Sequence, residues 1–319
     1  MNHSHMSSNR RLTSAIALAV AVVLLLVSAS SVATWAAAAK PQHFPSAEAA
    51  AVALVDAAKA GDKAALLAIL GPTAQALVTS GDEIADREGR ARFVREYQEA
   101  HRLVSVGEGK VTLTVGAREW PLPIPIVKDA AGWWFDTAGG REEILNRRIG
   151  RNELSAIQVS LAYVDAQREY YIRDPDKDAL LAYAQRLGSR PGKRDGLYWE
   201  TQPGEAPSPL GPLFAKAQGE GYVAKGLGGR HEPYWGYYYR ILKSQGEHAP
   251  GGAYDYVAKG HMIGGFGLIA YPAEYGSSGV VTFIVNHEGV VYQKDLGPNT
   301  ATVARAMKEF DPDTTWKRQ

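Results

Sequence analysis

The stretch from Tyr234 to Leu296 limits most sharply what this chain can fold into, because it is the densest run of strand formers and glycine punctuates it. Tyr237, Tyr239 and Ile241 alternate with Tyr238, Arg240 and Leu242, the period of two that a strand with two different faces requires. The apolar run Ile263 to Tyr271 carries Gly264, Gly265 and Gly267, which marks a bulge or a close backbone approach. Val281, Phe283 and Val285 fall on one face and Val280, Thr282 and Ile284 on the other. Both faces are apolar enough to predict a central strand. Asn286-His287-Glu288-Gly289 reads as a turn, with asparagine first and glycine last, and Val290 to Tyr292 as the returning partner, so Val280–Lys294 is expected to be a hairpin.

A chain of 319 residues points to two domains. There is no cysteine, which excludes disulfides, thiolate metal sites and a cysteine nucleophile. Arg10 and Arg11 precede an uncharged apolar run from Leu12 to about Val27, and small residues follow to Ala39. Basic start, apolar middle and small-residue end are the parts of a secretory signal peptide over residues 1–39. An uncleaved anchor is the alternative, since Leu12–Ala39 is long enough to span a bilayer. Cleavage removes two of 35 basic residues and none of 34 acidic ones, leaving about −1. Such a balance argues against a nucleic-acid partner and gives no electrostatic reason to sit on an anionic membrane, so membrane contact is expected only through an uncleaved leader. The expected location is periplasmic or extracellular.

The first lobe, residues 44–150, opens with helices. Ser46 caps a helix to Lys59 with Gly61 past its end, and Asp62 caps Lys63 to Leu70, stopped by Gly71-Pro72. A short segment, Thr73 to Ser80, precedes a longer helix from Asp86 to Arg102 that should bury Phe93, Val94 and Tyr97. Strands follow at Val111–Val115, at the proline-spaced Trp120–Ile126, and at Trp133-Trp134-Phe135. Proline at every second position confines Trp120–Ile126 to an edge. Helices followed by a small sheet are similar to the cone of the nuclear-transport-factor-like fold, and such cones can enclose a ligand pocket; a closed apolar cavity bounded by Trp120, Trp134 and Phe93 would favour a carrier.

The second lobe, residues 151–310, opens with a helix from Arg151 to Ile172, whose Leu154, Ile157, Leu161 and Val164 form a narrow apolar seam. Phe283 and Val285 should bury against that seam. Ala179 to Leu187 reads as a short helix, residues 189 to 233 as an irregular excursion, Thr300 to Phe310 as a final helix, and residues 311–319 as a polar tail. The fold class expected is α+β, two lobes, the second a helix on an antiparallel sheet.

The blocks Ile144–Tyr170, Pro233–Leu242 and Gly251–Gly297 closely resemble the exported bacterial family of the domain of unknown function 2950. That resemblance spans nearly the whole mature chain, implies export, and brings no activity or catalytic residues with it. The second lobe alone is similar to the globular part of type IV pilin-like proteins. The similarity rests on Ala166, Gln167 and Tyr170, on Gly236 to Arg240, and on Ala270, Pro272, Gly276, Gly279, Phe283, Val285 and Gly289. In pilins the helix continues from a membrane-spanning N-terminus. Here it is internal and follows a whole domain, so filament assembly by that route is not expected.

No residue pattern demands a cofactor. His43, His101, His231, His248, His261 and His287 include no H-x-x-x-H spacing, and no metal site is expected. Tyr275-Gly276-Ser277-Ser278-Gly279 is not a nucleophile elbow and reads as an exposed loop. Three function classes remain. The first is a non-catalytic exported envelope protein that binds or assembles something, with an envelope protein or glycan as partner. Its candidate binding residues are Tyr234, Trp235, Tyr238, Asp255, Glu274, Tyr275 and Ser277, with loops 246–252 and 275–279 as the binding edge. The second is a hydrolase of envelope polysaccharide or peptidoglycan, which needs Asp255, Glu274 and Glu288 in one cleft. The third is a small-ligand carrier using the first lobe. On this reading Phe283→Ala costs roughly 3–5 kcal/mol and Ser277→Ala almost nothing.

Overall fold

The computed structural model describes residues 41–175, 177, 180–222 and 232–319. The apolar leader, Ala179, the run from Gly226 to Gly229 and His231 lie outside the described residues. Among the described residues no helix is long and apolar enough to cross a membrane.

Helix α1 spans Ala47–Ala60. The Ser46 hydroxyl accepts from the Ala49 amide, and Gly61 closes the helix at φ +66°. Helix α2, Lys63–Leu70, is capped in the same way by Asp62. After a 3-10 turn at Pro72–Ala74 and a single turn α3 (Gln75–Val78), helix α4 runs Glu83–Glu99. It starts before the expected Asp86 because Asp82 supplies the cap, accepting from Ala85 N at 3.0 Å. It stops before His101, which opens β1 (His101–Gly107). Strands β2 (Lys110–Val115), β3 (Trp120–Pro121), β4 (Ile126–Asp129) and β5 (Gly132–Phe135) complete an antiparallel sheet in the order β1-β2-β4-β5, with β3 also on β2. Leu113, Val115, Ile126 and Phe135 of this sheet bury against Ala50, Leu54, Leu66 and Ile69.

Helix α5 spans Arg141–Arg173, ten residues more at its N-terminus than expected, so it runs unbroken through Gly150. The two lobes therefore share an element, and the described residues fall within one compact unit. The expected apolar seam on this helix is buried only in part: Val164 is buried and Ile157 packs against the core. Leu154 is 62% exposed and Leu161 42%. The buried face includes Asn152, Ala156, Val159, Tyr163, Val164, Gln167 and Tyr170. Ala156 lets the sheet approach closely, and the polar members turn inward because buried backbone groups need them. Asn152 Nδ2 donates to Ser278 O at 2.9 Å, and Gln167 pairs with both the N–H and the C=O of Ala184 at 2.8 Å.

That Gln167 pairing also explains why residues 180–187 are not helical. The segment is held extended, with Ala184 on Gln167 and Tyr183 N on Met262 O at 2.8 Å. After helix α6 (Gly211–Gly219) come β6 (Tyr237–Leu242), β7 (Ser244–Gln245), β8 (Tyr254–Asp255), β9 (Val257–Ala258), β10 (His261–Met262), β11 (Gly267–Pro272), β12 (Val281–Asn286) and β13 (Val291–Asp295). Helix α7 (Thr300–Ala306) and β14 (Lys317–Arg318) end the chain. The second sheet is antiparallel in the order β14-β13-β12-β11-β6, with β12 central as its two apolar faces require. The hairpin turns at Gly289, φ +80°. Phe283, Val285 and Leu268 bury toward Ala156, Tyr163 and Val164 of α5; Ile269, Ile284 and Leu242 bury on the other face with Ala304, Phe310 and Trp316. The residues expected as a polar tail thus contribute a buried tryptophan and an edge strand. They read as polar because Trp316 is the single large apolar side chain among them.

The lobes meet through buried polar groups. Asp82 Oδ2 accepts from Tyr222 Oη and from Gly236 N, each at 2.8 Å. Arg148 donates to Ala76 O at 2.7 Å and Leu77 O at 2.6 Å. The Ser277 hydroxyl donates to Ala76 O at 3.0 Å. Ser277 is 4% exposed, so the loop expected to be an exposed binding edge is part of this joint. Gly236 sits there at φ +73°, where a Cβ would lie 2.5 Å from Asn152 Nδ2.

Candidate functional site

A cleft of about 980 Å³ lies between β6 on one side and residues 182–188 with Gly260–Met262 on the other. Strand β6 is an edge strand, paired on one side with β11 in the register Tyr237↔Pro272 to Leu242↔Gly267. Ala273 N donates to Gly236 O at 2.8 Å. In an antiparallel ladder successive residues alternate between facing the partner and facing away. Gly236, Tyr238, Arg240 and Leu242 therefore turn their backbone groups to β11, and Tyr237, Tyr239, Ile241 and Lys243 turn theirs outward. Tyr237 closes on Tyr234, N to O in both directions at 3.2 and 2.9 Å, and Lys243 O takes Tyr256 N at 2.8 Å. The N–H and C=O groups of Tyr239 and Ile241 lie between these closures and face the cleft.

The far wall is held rigid from behind. Besides the Gln167 and Met262 bonds, Tyr198 N donates to Leu187 O at 2.9 Å and Leu197 N to Arg186 O at 3.1 Å. Lys243 Nζ reaches Gln185 Oε1 across one end at 2.9 Å. The lysine and arginine side chains of the cleft are occupied. Burial pushes the Asp195 carboxyl up, but hydrogen bonds from the Arg190 amide and guanidinium, with Arg186 nearby, outweigh it and hold the group below the usual carboxylate value. Arg240 donates to Ala304 O and Met307 O at the end of α7, where a cation suits the helix dipole. The Tyr239 hydroxyl is buried with no hydrogen-bond partner among the described residues, and burial pushes its pKa well above the usual phenol value.

Of the seven residues singled out by sequence, Tyr238 alone lines this cleft, its ring 5.5 Å from that of Tyr271. Tyr234 is buried, and with Trp235 it donates to Glu220 Oε2, at 3.3 and 2.9 Å. Glu274 lies beside Gly81, Tyr275 donates to Asp295, and Ser277 is in the joint. Asp255 is exposed on β8. Asp255, Glu274 and Glu288 do not all gather in one cleft. Glu274 follows the Pro272 end of β11 and Glu288 follows Asn286, which pairs at the Gly267 end. A six-residue strand holds its ends roughly 17–20 Å apart, well beyond the 5–9.5 Å of a glycosidase pair. Nor does Trp120 wall an enclosed pocket in the first lobe: it is 40% exposed with the Arg147 guanidinium 4.8 Å from its ring. Among the described residues no three histidine or carboxylate side chains gather as a metal site.

Sequence reasoning missed Tyr239, Ile241, Arg186, Arg190 and Lys243 as cleft residues. The alternation in Tyr237–Leu242 showed a strand, but nothing local says which edge of a strand is left unpaired.

No curated protein and no solved structure is matched by the chain. The family described as "Protein of unknown function (DUF2950)" matches residues 41–319, every described residue, and the chain belongs to that family.

Proposed function

We propose that this is an exported, non-catalytic binding protein of the cell envelope that takes its ligand in the cleft along β6. The observation that carries the reading is the character of the cleft. It is wide and half-open, its wall is braced, and its cations are already matched to carboxylates, carbonyls or an amide rather than aimed at a reacting atom. Recognition sites are concave and largely preformed in this way. Export is supported by the run Arg10–Ala39. The pilin-like reading of the second lobe is supported by α5 lying on an antiparallel sheet, an arrangement neutral as to catalysis.

Two measurements test it. Mass spectrometry of the protein from intact cells should show an N-terminus between about Ala37 and Pro41; retention of the leader in the membrane fraction overturns the cleaved form. A photo-cross-linking residue at Gln185, in the far wall, should capture a discrete partner from intact cells, protein or glycan, that the same residue placed at exposed Val52 of α1 does not. Identical products from both positions would remove the cleft as the site.

A further inference from the structure

The two edges of the second sheet are managed differently. One edge is β14, two residues long and made of Lys317 and Arg318, the short charged ending that discourages further pairing. The other is β6, six residues long, with no proline or bulge at Tyr239-Arg240-Ile241 and no covering strand among the described residues. It avoids edge-to-edge association by being recessed: residues 182–188 stand across from it and leave a slot. A slot of this kind excludes another sheet and admits one strand.

We infer that the cleft recognises an extended polypeptide segment of another protein, which adds to the sheet as a further strand on the outward N–H and C=O groups of Tyr239 and Ile241. This rests on the cleft being the binding site. The two residues are i and i+2, about 6.6–6.8 Å apart along the strand, the same repeat an extended peptide presents. The closures at Tyr237 and at Lys243 O bound the window, so about three to five residues of the incoming segment pair. Charge also selects. With Arg240 held by α7, the cleft is left with Arg186, Arg190 and Lys243 against Asp174, Asp195 and Glu232. That balance offers nothing extra to a polyanionic glycan, whereas backbone pairing is indifferent to it. The braced wall keeps the slot open without ligand, so less ordering is lost on binding.

The test uses the full mature chain. Unstructured dodecamer peptides are selected from a randomised library, then remade with single N-methylated amides. Binding should weaken roughly tenfold at every second amide and stay unchanged between, since each lost hydrogen bond is worth about that factor. Amide exchange at Tyr239 and Ile241 should be fast in the free protein and slow at least roughly tenfold with saturating peptide. Ile241→Pro removes an outward donor without touching the β11 ladder and should lose binding, while Ile241→Ala, which keeps the N–H, retains it. The inference is overturned by no alternation in the N-methyl scan, by exchange at both amides already slow without peptide, or by equal binding of the proline and alanine variants. If the proline variant does not fold, the exchange and N-methyl readings still decide. A glycan captured at Gln185 with no peptide selected would also overturn it while leaving the cleft in place.

Discussion

The joint between the lobes and the cleft beside β6 are both built from backbone polar groups, and they differ in what those groups meet. At the joint each named carbonyl or amide finds a side chain: Asp82 on Gly236 and Ser277 on Ala76 from the opposite lobe, and Arg148 of the shared helix on Ala76 and Leu77. At the cleft the outward groups of Tyr239 and Ile241 are met by nothing among the described residues. A loop rich in glycine and serine thus became structure, and a strand rich in tyrosine became the open surface. Residue type does not distinguish a binding edge from a structural seam; the presence of a partner does.

Asp82→Ala should break the comparison most strongly. It strands Ala85 N, Gly236 N and the Tyr222 hydroxyl, and each buried donor left unmet costs about 1–3 kcal/mol. Urea melts should show a loss of about 3 kcal/mol or more; a loss below about 1 kcal/mol would mean the joint does not hold the lobes. The variant also carries a pH signature. Burial, against the opposing hydrogen bonds, raises the Asp82 carboxyl above 3.8 in the folded state. The folded protein therefore holds that proton more tightly than the unfolded chain. The carboxyl's contribution is complete below about 3.8 and is lost as pH rises through the raised value. The stability gap between wild type and Asp82→Ala should widen on acidification from about pH 7 toward about pH 4. A gap that narrows refutes the assignment.

Ser277→Ala comes next, at about 1–2 kcal/mol, because Ala76 O loses a buried donor while Arg148 still reaches it. An effect indistinguishable from zero would return the loop to the surface, as its composition suggests. Tyr239→Phe is the smallest effect and opposite in sign. It removes a buried hydroxyl with no partner among the described residues, so the variant should gain up to about 1 kcal/mol in thermal or urea melts, with peptide pairing through the Tyr239 backbone unchanged. A loss of stability would show that the hydroxyl is bonded.

Much of the local structure was legible because it is set by neighbours in the chain. Ser46 and Asp62 cap helices, Gly61 ends one in the left-handed region, Gly289 turns the hairpin, and the two apolar faces of Val281–Asn286 place β12 at the centre of its sheet. Capping, turn formation and burial on both faces each follow from a few adjacent residues. What lay beyond reach depends on partners far away in sequence. Leu180–Leu187 is extended because Gln167 and Met262 claim its backbone, although its own composition favours a helix. Helix α5 buries Asn152 and Gln167 beside its apolar residues, because the Ser278 carbonyl and the Ala184 amide and carbonyl that they meet need polar partners. Trp316 and β14 join the sheet because β13 has an open side, a fact about topology. The same holds for the cleft. That Tyr237–Leu242 forms a strand was determined by its own alternation; that the strand is an edge, and that a wall stands across from it, was decided only when the sheet assembled.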